Sequence, residues 1–180
     1  MKNPLLVVSV ALLLCFAFGC QNKADKAELE DFRAQAKLEE QNKELVKHFA
    51  EELNKGNVEI FNEVCAPEYG IYSPSNNSKP MSREEELEAL EMTFKVFPDV
   101  NWRMEKLFVV GDTAIIRIVF TGTYQGEFEG IPATGKKVEA SGITIIRIEK
   151  GKFVEQWEEF DMLGLVQQLG MELKPKEVKK

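Results

Sequence analysis

The sequence predicts an α+β fold in which about three N-terminal helices pack on a strongly curved, mostly antiparallel sheet, with a short C-terminal helix. Apolar residues recur at helical spacing in the first part of the chain, up to Pro98. From Val100 onward the chain is rich in β-branched residues, and short Gly-containing turns divide it into strands. Helices that precede a run of strands in this way are typical of α+β domains.

Residues 1–19 resemble a bacterial lipoprotein signal peptide and are left out of the fold. Lys2 precedes an apolar run from Leu5 to Phe18, which has the length of a signal-peptide core and is short for a membrane span. The run ends in Ala17-Phe18-Gly19-Cys20, which resembles a lipobox, so Cys20 is the expected lipidation site. An ordinary signal peptide and an uncleaved anchor are the alternatives. A lipidated Cys20 would fix the protein in the bacterial envelope, at the outer membrane if the cell has one.

After the signal peptide we expect a charged, partly helical tether (20–41), one domain (42–171) and a Lys-rich tail (172–180). The formal net charge of −7 would repel a phosphate backbone, which argues against nucleic acid as a partner.

If Cys20 carries lipid and Cys15 is removed, Cys65 has no disulfide partner in the chain. We expect Cys65 to be a small buried residue, with a reactive thiol as the alternative.

The helix boundaries follow from capping signals. Gly56 ends the first domain helix, and Asn57 begins a short second one. Ser82 and Glu85 form a capping box that begins the third helix, and Pro98 stops it. The acidic residues of the third helix are expected to form its solvated face: Glu84, Glu85, Glu86, Glu88 and Glu91.

Several strands are expected, beginning with a short edge strand at Tyr69–Tyr72. The longer ones are Asn101–Val110, Thr113–Tyr124, Val138–Glu149 and a last strand that ends at Asp161. Lys150-Gly151 suits a two-residue hairpin turn, which places Glu149 opposite Lys152 and Thr144 opposite Trp157. A bulge would shift this register by one residue.

The last strand carries the main site prediction. Phe153, Glu155, Trp157, Glu159 and Asp161 share one parity, so on a regular strand they point to one face. Because a buried carboxylate without partners is costly, carboxylates beside aromatic rings suit the wall of a pocket. We therefore predict a ligand-binding set made up of Trp157, Glu155, Glu159, Tyr124 and Arg117. Arg117 is expected either to meet Asp161 or Glu159 across the cavity or to point outward on the other face.

The chain resembles the SnoaL-like polyketide cyclases of the nuclear-transport-factor-2-like superfamily over about residues 42–170. The resemblance is carried by short motifs in the right order: Phe97-Pro98-Asp99, Gly111-Asp112, Gly122–Gly126, Gly130–Lys136 and the pattern from Gly151 to Gly170 that contains Trp157, Asp161, Gly164 and Gly170. It implies a cone-shaped fold and a pocket for a small apolar or aromatic molecule. It also implies that Asp161 is a general acid/base. The alternative for Asp161 is a helix cap, since it precedes a short helix.

This chain departs from the cyclase pattern in its histidines. Tyr124 stands where many relatives have histidine, and the single histidine, His48, is expected to be a boundary residue without companions for a metal. Catalysis would then fall to the carboxylates, Tyr124 or water, with no metal or cofactor. The sequence leaves open an envelope cyclase, isomerase or lyase that uses Asp161, a non-catalytic ligand-binding lipoprotein, and a scaffold that forms a homodimer through its sheet.

Overall fold

The structure is a computed structural model that describes residues 4–73, 79–128, 130–172 and 174, with side chains from residue 25 onward. The chain divides into two compact units, residues 1–39 and 40–180. The described part of the first unit is helical and belongs to α1 (Pro4–Asn54). The side chains of Cys20 and of the lipobox-like sequence before it lie outside the described side chains, so the lipidation site stays a prediction. Within the described part of the chain, no helix has the length and apolar character to cross a membrane.

The described residues of the second unit contain the rest of α1, three further helices and a six-stranded, mostly antiparallel sheet, which confirms the predicted α+β fold. Its elements are α2 (Ile60–Val64), β1 (Cys65–Tyr72), β2 (Met81–Ser82), α3 (Arg83–Val96), β3 (Asn101–Val110), β4 (Thr113–Thr123), β5 (Lys137–Glu149), β6 (Lys152–Phe160) and α4 (Met162–Gln168).

The six strands in the described part of the chain form one sheet in the order β2-β1-β6-β5-β4-β3. All neighbours are antiparallel except β1 and β6, which are parallel. The prediction of a short edge strand at Tyr69–Tyr72 is wrong, because β1 begins at Cys65 and pairs with β2 on one side and β6 on the other.

Local signals explain several element boundaries. The capping box is present: the Glu85 backbone N–H donates to Ser82 Oγ (3.2 Å), and the Ser82 N–H donates to Glu85 Oε2 (2.7 Å). Lys150 and Gly151 join β5 to β6 with φ of 50° and 72°, the left-handed values that a two-residue hairpin turn requires. As expected, Cys65 is buried, and burial raises the pKa of its thiol to about 12, which makes it a poor nucleophile at neutral pH.

One face of the sheet is covered by the helices, and the other is open. On the covered face Phe49 of α1 packs edge-on against Phe61 and Phe153 at ring-centroid distances of 5.0 and 5.3 Å. The open face carries a row of exposed apolar side chains on directly paired positions of β3 to β6: Phe108, Ile115, Ile145 and Trp157. The homodimer that the sequence left open stays a prediction.

Candidate active site

A cavity of about 400 Å³ lies between the covered face of the sheet and helices α3 and α4. Its walls are mostly apolar and aromatic, and they come from both helices and from β3 to β6. The residues that line it include Leu90, Val96, Phe97, Trp102, Ile118, Phe120, Phe128, Phe160, Leu165 and Leu169. Its size and its apolar walls are those of a site for a small organic molecule.

A second, smaller cavity of about 100 Å³ continues from the first toward α1 and α2. The two cavities share a few residues, which therefore lie where they meet: Glu86, Leu90, Trp102, Ile118, Thr144 and Glu158. Two of these six side chains are carboxyls. The polar part of the site is thus concentrated at this junction.

A β-bulge in β6 decides which side chains reach the cavity. Ile148 pairs with Phe153, but Arg147 pairs with Glu155, so Val154 is the extra residue. Beyond the bulge the register moves by one position, and Thr144 lies opposite Glu158 instead of Trp157. Since side chains alternate along a strand, the parity of the cavity-facing residues changes at the bulge.

The prediction that Glu155, Trp157 and Glu159 share a pocket wall is therefore wrong for the first two. Trp157 keeps 39% of its surface exposed and stacks on Tyr72, with ring centroids 5.6 Å apart. Glu155 accepts a hydrogen bond from Arg147 Nε (2.9 Å), and that contact lowers the pKa of its carboxyl. Glu159 is exposed but does contribute to the cavity wall. The ligand-binding roles assigned to these residues stay predictions.

Arg117 points outward, the second of its two predicted orientations. Its Nε donates to Glu105 Oε2 (2.9 Å), and neither Asp161 nor Glu159 is its partner.

Tyr124 is fully buried behind the cavity wall. Its hydroxyl donates to the Ile131 carbonyl (2.5 Å) and accepts from the Phe128 N–H (3.1 Å). Tyr124 therefore fixes the loop that carries Phe128 into the cavity.

Asp161 caps α4: its Oδ1 accepts a hydrogen bond from the Gly164 N–H (2.8 Å). We expect an Asp161→Ala variant to lose about 1 kcal/mol of unfolding free energy, because the cap is lost. An Asp161→Asn variant should unfold almost like wild type, because asparagine caps about as well. Urea unfolding of the two variants measures this difference. Equal losses in both would contradict a capping role.

The carboxyls of Glu86 and Glu158 are the strongest chemical feature of the cavity. Burial and, second, the charge of Glu158 raise the pKa of Glu86 to about 8. Burial also raises the pKa of Glu158, and a hydrogen bond from Gln156 partly opposes that effect. Both side chains are half-buried by surface area, because each lines the cavity. No lysine, arginine or histidine is among the described residues that line it.

Sequence reasoning missed both of these carboxyls. Glu86 was assigned to the solvated face of α3, although it is four, seven and eleven residues before Leu90, Thr93 and Phe97. That spacing places Glu86 on the cavity face of the helix and was the available signal. Glu158 was missed because the bulge reverses the parity of β6, and β6 shows no sequence signal for it.

His48 contributes nothing to this site. It lies at the surface beside Glu63, with 3.5 Å between His48 Nε2 and Glu63 Oε1. Among the described residues no group of three or more metal-ligating side chains comes together.

An α+β fold with a cavity between its helices and its sheet is that of the nuclear-transport-factor-2-like class. The model of the SnoaL-like polyketide cyclase family matches residues 43–169, and the chain belongs to this family. A search of curated proteins found no match.

Solved structures agree with this assignment. AclR from Streptomyces galilaeus is 26% identical, with 73% of this chain and 97% of that chain covered and a TM-score of 0.68. IdmH from Streptomyces antibioticus is 28% identical, with 72% and 99% covered and a TM-score of 0.65. TsrD from Streptomyces laurentii is 32% identical, with 72% and 95% covered and a TM-score of 0.63. Membership of the family points to a cyclase- or isomerase-type domain with a small hydrophobic ligand.

Proposed function

We propose that this domain is an enzyme that transfers protons on a small, largely apolar carbonyl compound, in a reaction of the cyclase or isomerase type. The observation that carries the proposal is the pair of carboxyl groups, Glu86 and Glu158, in the wall of an aromatic cavity. Burial moves the pKa of both groups toward neutrality, where general acid–base catalysis by a carboxyl group is most effective.

The two carboxyls take different roles. Glu86 is the general acid, because a pKa of about 8 leaves it protonated at neutral pH. We assign Glu158 as the general base: burial raises the pKa of its carboxyl, but the hydrogen bond that it accepts from Gln156 opposes this effect and favours the ionised form, and Glu86 has no such donor among the described residues. When the environments of two neighbouring carboxyls separate their pKa values, the group with the higher pKa serves as the acid and the other as the base.

The reaction begins with an enolisation. Glu158 removes a proton from the carbon beside the carbonyl, the C–H electron pair forms the C=C bond, and Glu86 gives its proton to the carbonyl oxygen. In a cyclase the enol carbon then attacks a second carbonyl of the same molecule. The enol proton returns to Glu86, and Glu158 protonates the new alkoxide. In an isomerase the substrate is a β,γ-unsaturated carbonyl compound, so the enol is a conjugated dienol. Glu158 gives its proton to the γ-carbon, the C=C bond moves into conjugation with the carbonyl, and the enol proton returns to Glu86. Either sequence regenerates both side chains without a cofactor.

Proton–deuteron exchange tests the proposal without knowledge of the natural substrate. Aromatic β-keto esters are incubated with the protein in D₂O, and the loss of the α-proton signal is followed by NMR. We expect exchange faster than in buffer of the same pH. Exchange at the buffer rate, for compounds whose binding is seen by tryptophan fluorescence, would instead support the non-catalytic ligand-binding alternative.

Asp161 is the second candidate for the acid/base, and the family resemblance is its only support. Its carboxylate caps α4, and it is not among the residues that line the cavity. The same exchange assay separates the candidates. Normal exchange in Asp161→Asn supports the glutamate pair, whereas a loss in that variant with normal exchange in Glu158→Gln would move the role to Asp161.

We further propose that Cys20 is lipidated and anchors the domain in the bacterial envelope. The proposal depends on the lipobox-like Ala17-Phe18-Gly19-Cys20 sequence. A Cys20→Ser variant should lose metabolic labelling with palmitate and leave the membrane fraction, because lipid is attached to the thiol. Cys15→Ser in the same apolar run is the matched control and should keep the label. Unchanged membrane association of Cys20→Ser would contradict the anchor.

A further inference from the structure

A buried chain of hydrogen bonds runs from β1 through β6 into the cavity. The Tyr69 hydroxyl donates to Gln156 Oε1 at 2.6 Å, and Gln156 Nε2 donates to Glu158 Oε1. Tyr69 and Gln156 are only 3% and 6% exposed. Because both side chains are cut off from solvent, each depends on the other for its hydrogen bonds.

The direction of this chain is fixed by the chemistry of its members. An amide side chain has one accepting and one donating end, whereas an ionised carboxylate only accepts. With Gln156 Oε1 held by Tyr69, the NH₂ group is turned toward Glu158, and it stabilises the ionised carboxylate. With the amide reversed, its oxygen would face Glu158, and that contact is favourable only if Glu158 carries a proton.

Tyr69 disfavours the reversed amide. Gln156 is the only hydrogen-bond partner of the Tyr69 hydroxyl among the described residues. If the Gln156 amide were reversed, the hydroxyl would accept from Nε2 and its own buried O–H would have no acceptor. A buried donor without an acceptor costs free energy, so the observed orientation is preferred.

We propose that Tyr69 is a positioning residue that acts through Gln156 to hold Glu158 ready to accept a proton. This inference rests on the proposed function, since it concerns the group that we assign as the base. Tyr69 itself does not line the main cavity, and it is therefore not placed in contact with substrate.

The surroundings of Glu158 contain few other titratable groups. Glu86 faces it from α3, and Glu159 follows it on β6. The residues that β4 and β5 present beside it, Ile118 and Thr144, do not titrate. The side chains that α1 contributes to the smaller cavity are apolar. A change in the titration of Glu158 can therefore be assigned to the hydrogen-bond chain once Glu86 is followed in parallel.

The test is the titration of the Glu158 carboxyl carbon by ¹³C NMR in the full chain, assigned from the signal that disappears in Glu158→Gln. Tyr69→Phe keeps the ring and its edge-on contact with Phe61 but removes the hydroxyl. We expect the Glu158 titration midpoint to rise in this variant, because the amide is free to reverse. On the acidic side of the pH–rate profile, the midpoint of the exchange rate should move to higher pH by the same amount.

Tyr124→Phe is the matched control. Tyr124 is also buried, but its hydroxyl bonds to the loop at Phe128 and Ile131 and not to the carboxyls. This variant should leave the Glu158 midpoint unchanged. An equal rise in Tyr69→Phe and Tyr124→Phe would mean that loosening of the fold is the cause, and it would overturn the proposal.

A second variant keeps the test decisive if Tyr69→Phe folds poorly. Gln156→Leu should raise the Glu158 midpoint by itself, and adding Tyr69→Phe to it should cause no further rise. An unchanged midpoint in Gln156→Leu, or a further rise in the double variant, would overturn the proposal. If the Glu158 midpoint rises in the variants but the wild-type protein shows no exchange activity, the hydrogen-bond chain is supported and the proposed function is refuted. If the wild-type protein is active but the midpoint does not rise, the proposed function is supported and the role of Tyr69 is refuted.

Discussion

A Glu158→Gln variant should slow α-proton exchange roughly 10²–10⁴-fold, the usual contribution of a positioned general base. Glutamine has nearly the same shape, and its amide cannot take up a proton at neutral pH. It can still meet Gln156, so the contacts of β6 are retained. Ligand binding measured by tryptophan fluorescence should change little, and the loss should appear in the turnover rate instead of the binding constant.

Glu88→Gln is the control for this variant, because Glu88 lies on the exposed side of α3 and does not line the cavity. It makes the same chemical change and should exchange at the wild-type rate. Wild-type exchange in Glu158→Gln, with an intact fold, would exclude Glu158 as the base. A similar loss in both variants would trace the effect to the general loss of negative charge.

The order of elements in this fold could be predicted because each depends on local signals. The capping box of Ser82 and Glu85 and the turn at Lys150-Gly151 need only a few neighbouring residues. The length of β1 could not be predicted in the same way. Its pairing with β6 joins Cys65 to Phe153 across the sequence, and such long-range contacts leave no periodic signal within the strand.

The candidate site was predicted to lie on the correct strand but on the wrong face. The alternation rule holds from Lys152 to Phe153, where the hairpin sets the register. Val154 then adds one residue and the alternation reverses beyond it, although Glu159 still contributes to the cavity wall. Trp157 consequently stacks on Tyr72 in the open, and Glu158 takes the place in the cavity that the sequence assigned to its neighbours.

Glu86 was missed for a different reason, because charged residues on a helix are usually solvated. Four other glutamates surround it in the sequence of α3, so Glu86 could not be distinguished from them as the one that shares a helix face with Leu90. Only the tertiary structure shows that a second carboxyl, Glu158, faces it across the cavity. Ionising both carboxyls in this cavity is costly, and the cost can be measured.

A Glu86→Gln variant should be more stable than wild type at high pH. Burial and the charge of Glu158 raise the pKa of Glu86 to about 8 in the folded chain, whereas in the unfolded chain its carboxyl has the ordinary glutamate pKa of 4.5. Between these values the folded state binds more protons, so the free energy of unfolding of wild type falls as the pH rises. Glutamine has no proton to lose and escapes this fall. We expect a gain of roughly 2–4 kcal/mol at pH 9 that shrinks toward zero below pH 5.

Urea unfolding at pH 5 and pH 9 measures this gain, and Glu88→Gln is again the control. Glu158 remains in both proteins, but its pH dependence cancels only in part, because its charge contributes to the raised pKa of Glu86. The gain therefore includes the interaction between the two carboxyls. A gain in Glu86→Gln that is equal at the two pH values would show that Glu86 does not hold a proton in the folded chain, and the assignment of Glu86 as the acid would then be wrong. A gain confined to high pH would mean that the fold tolerates a destabilising carboxyl in its cavity, as expected when a group is kept for chemistry at a cost in stability.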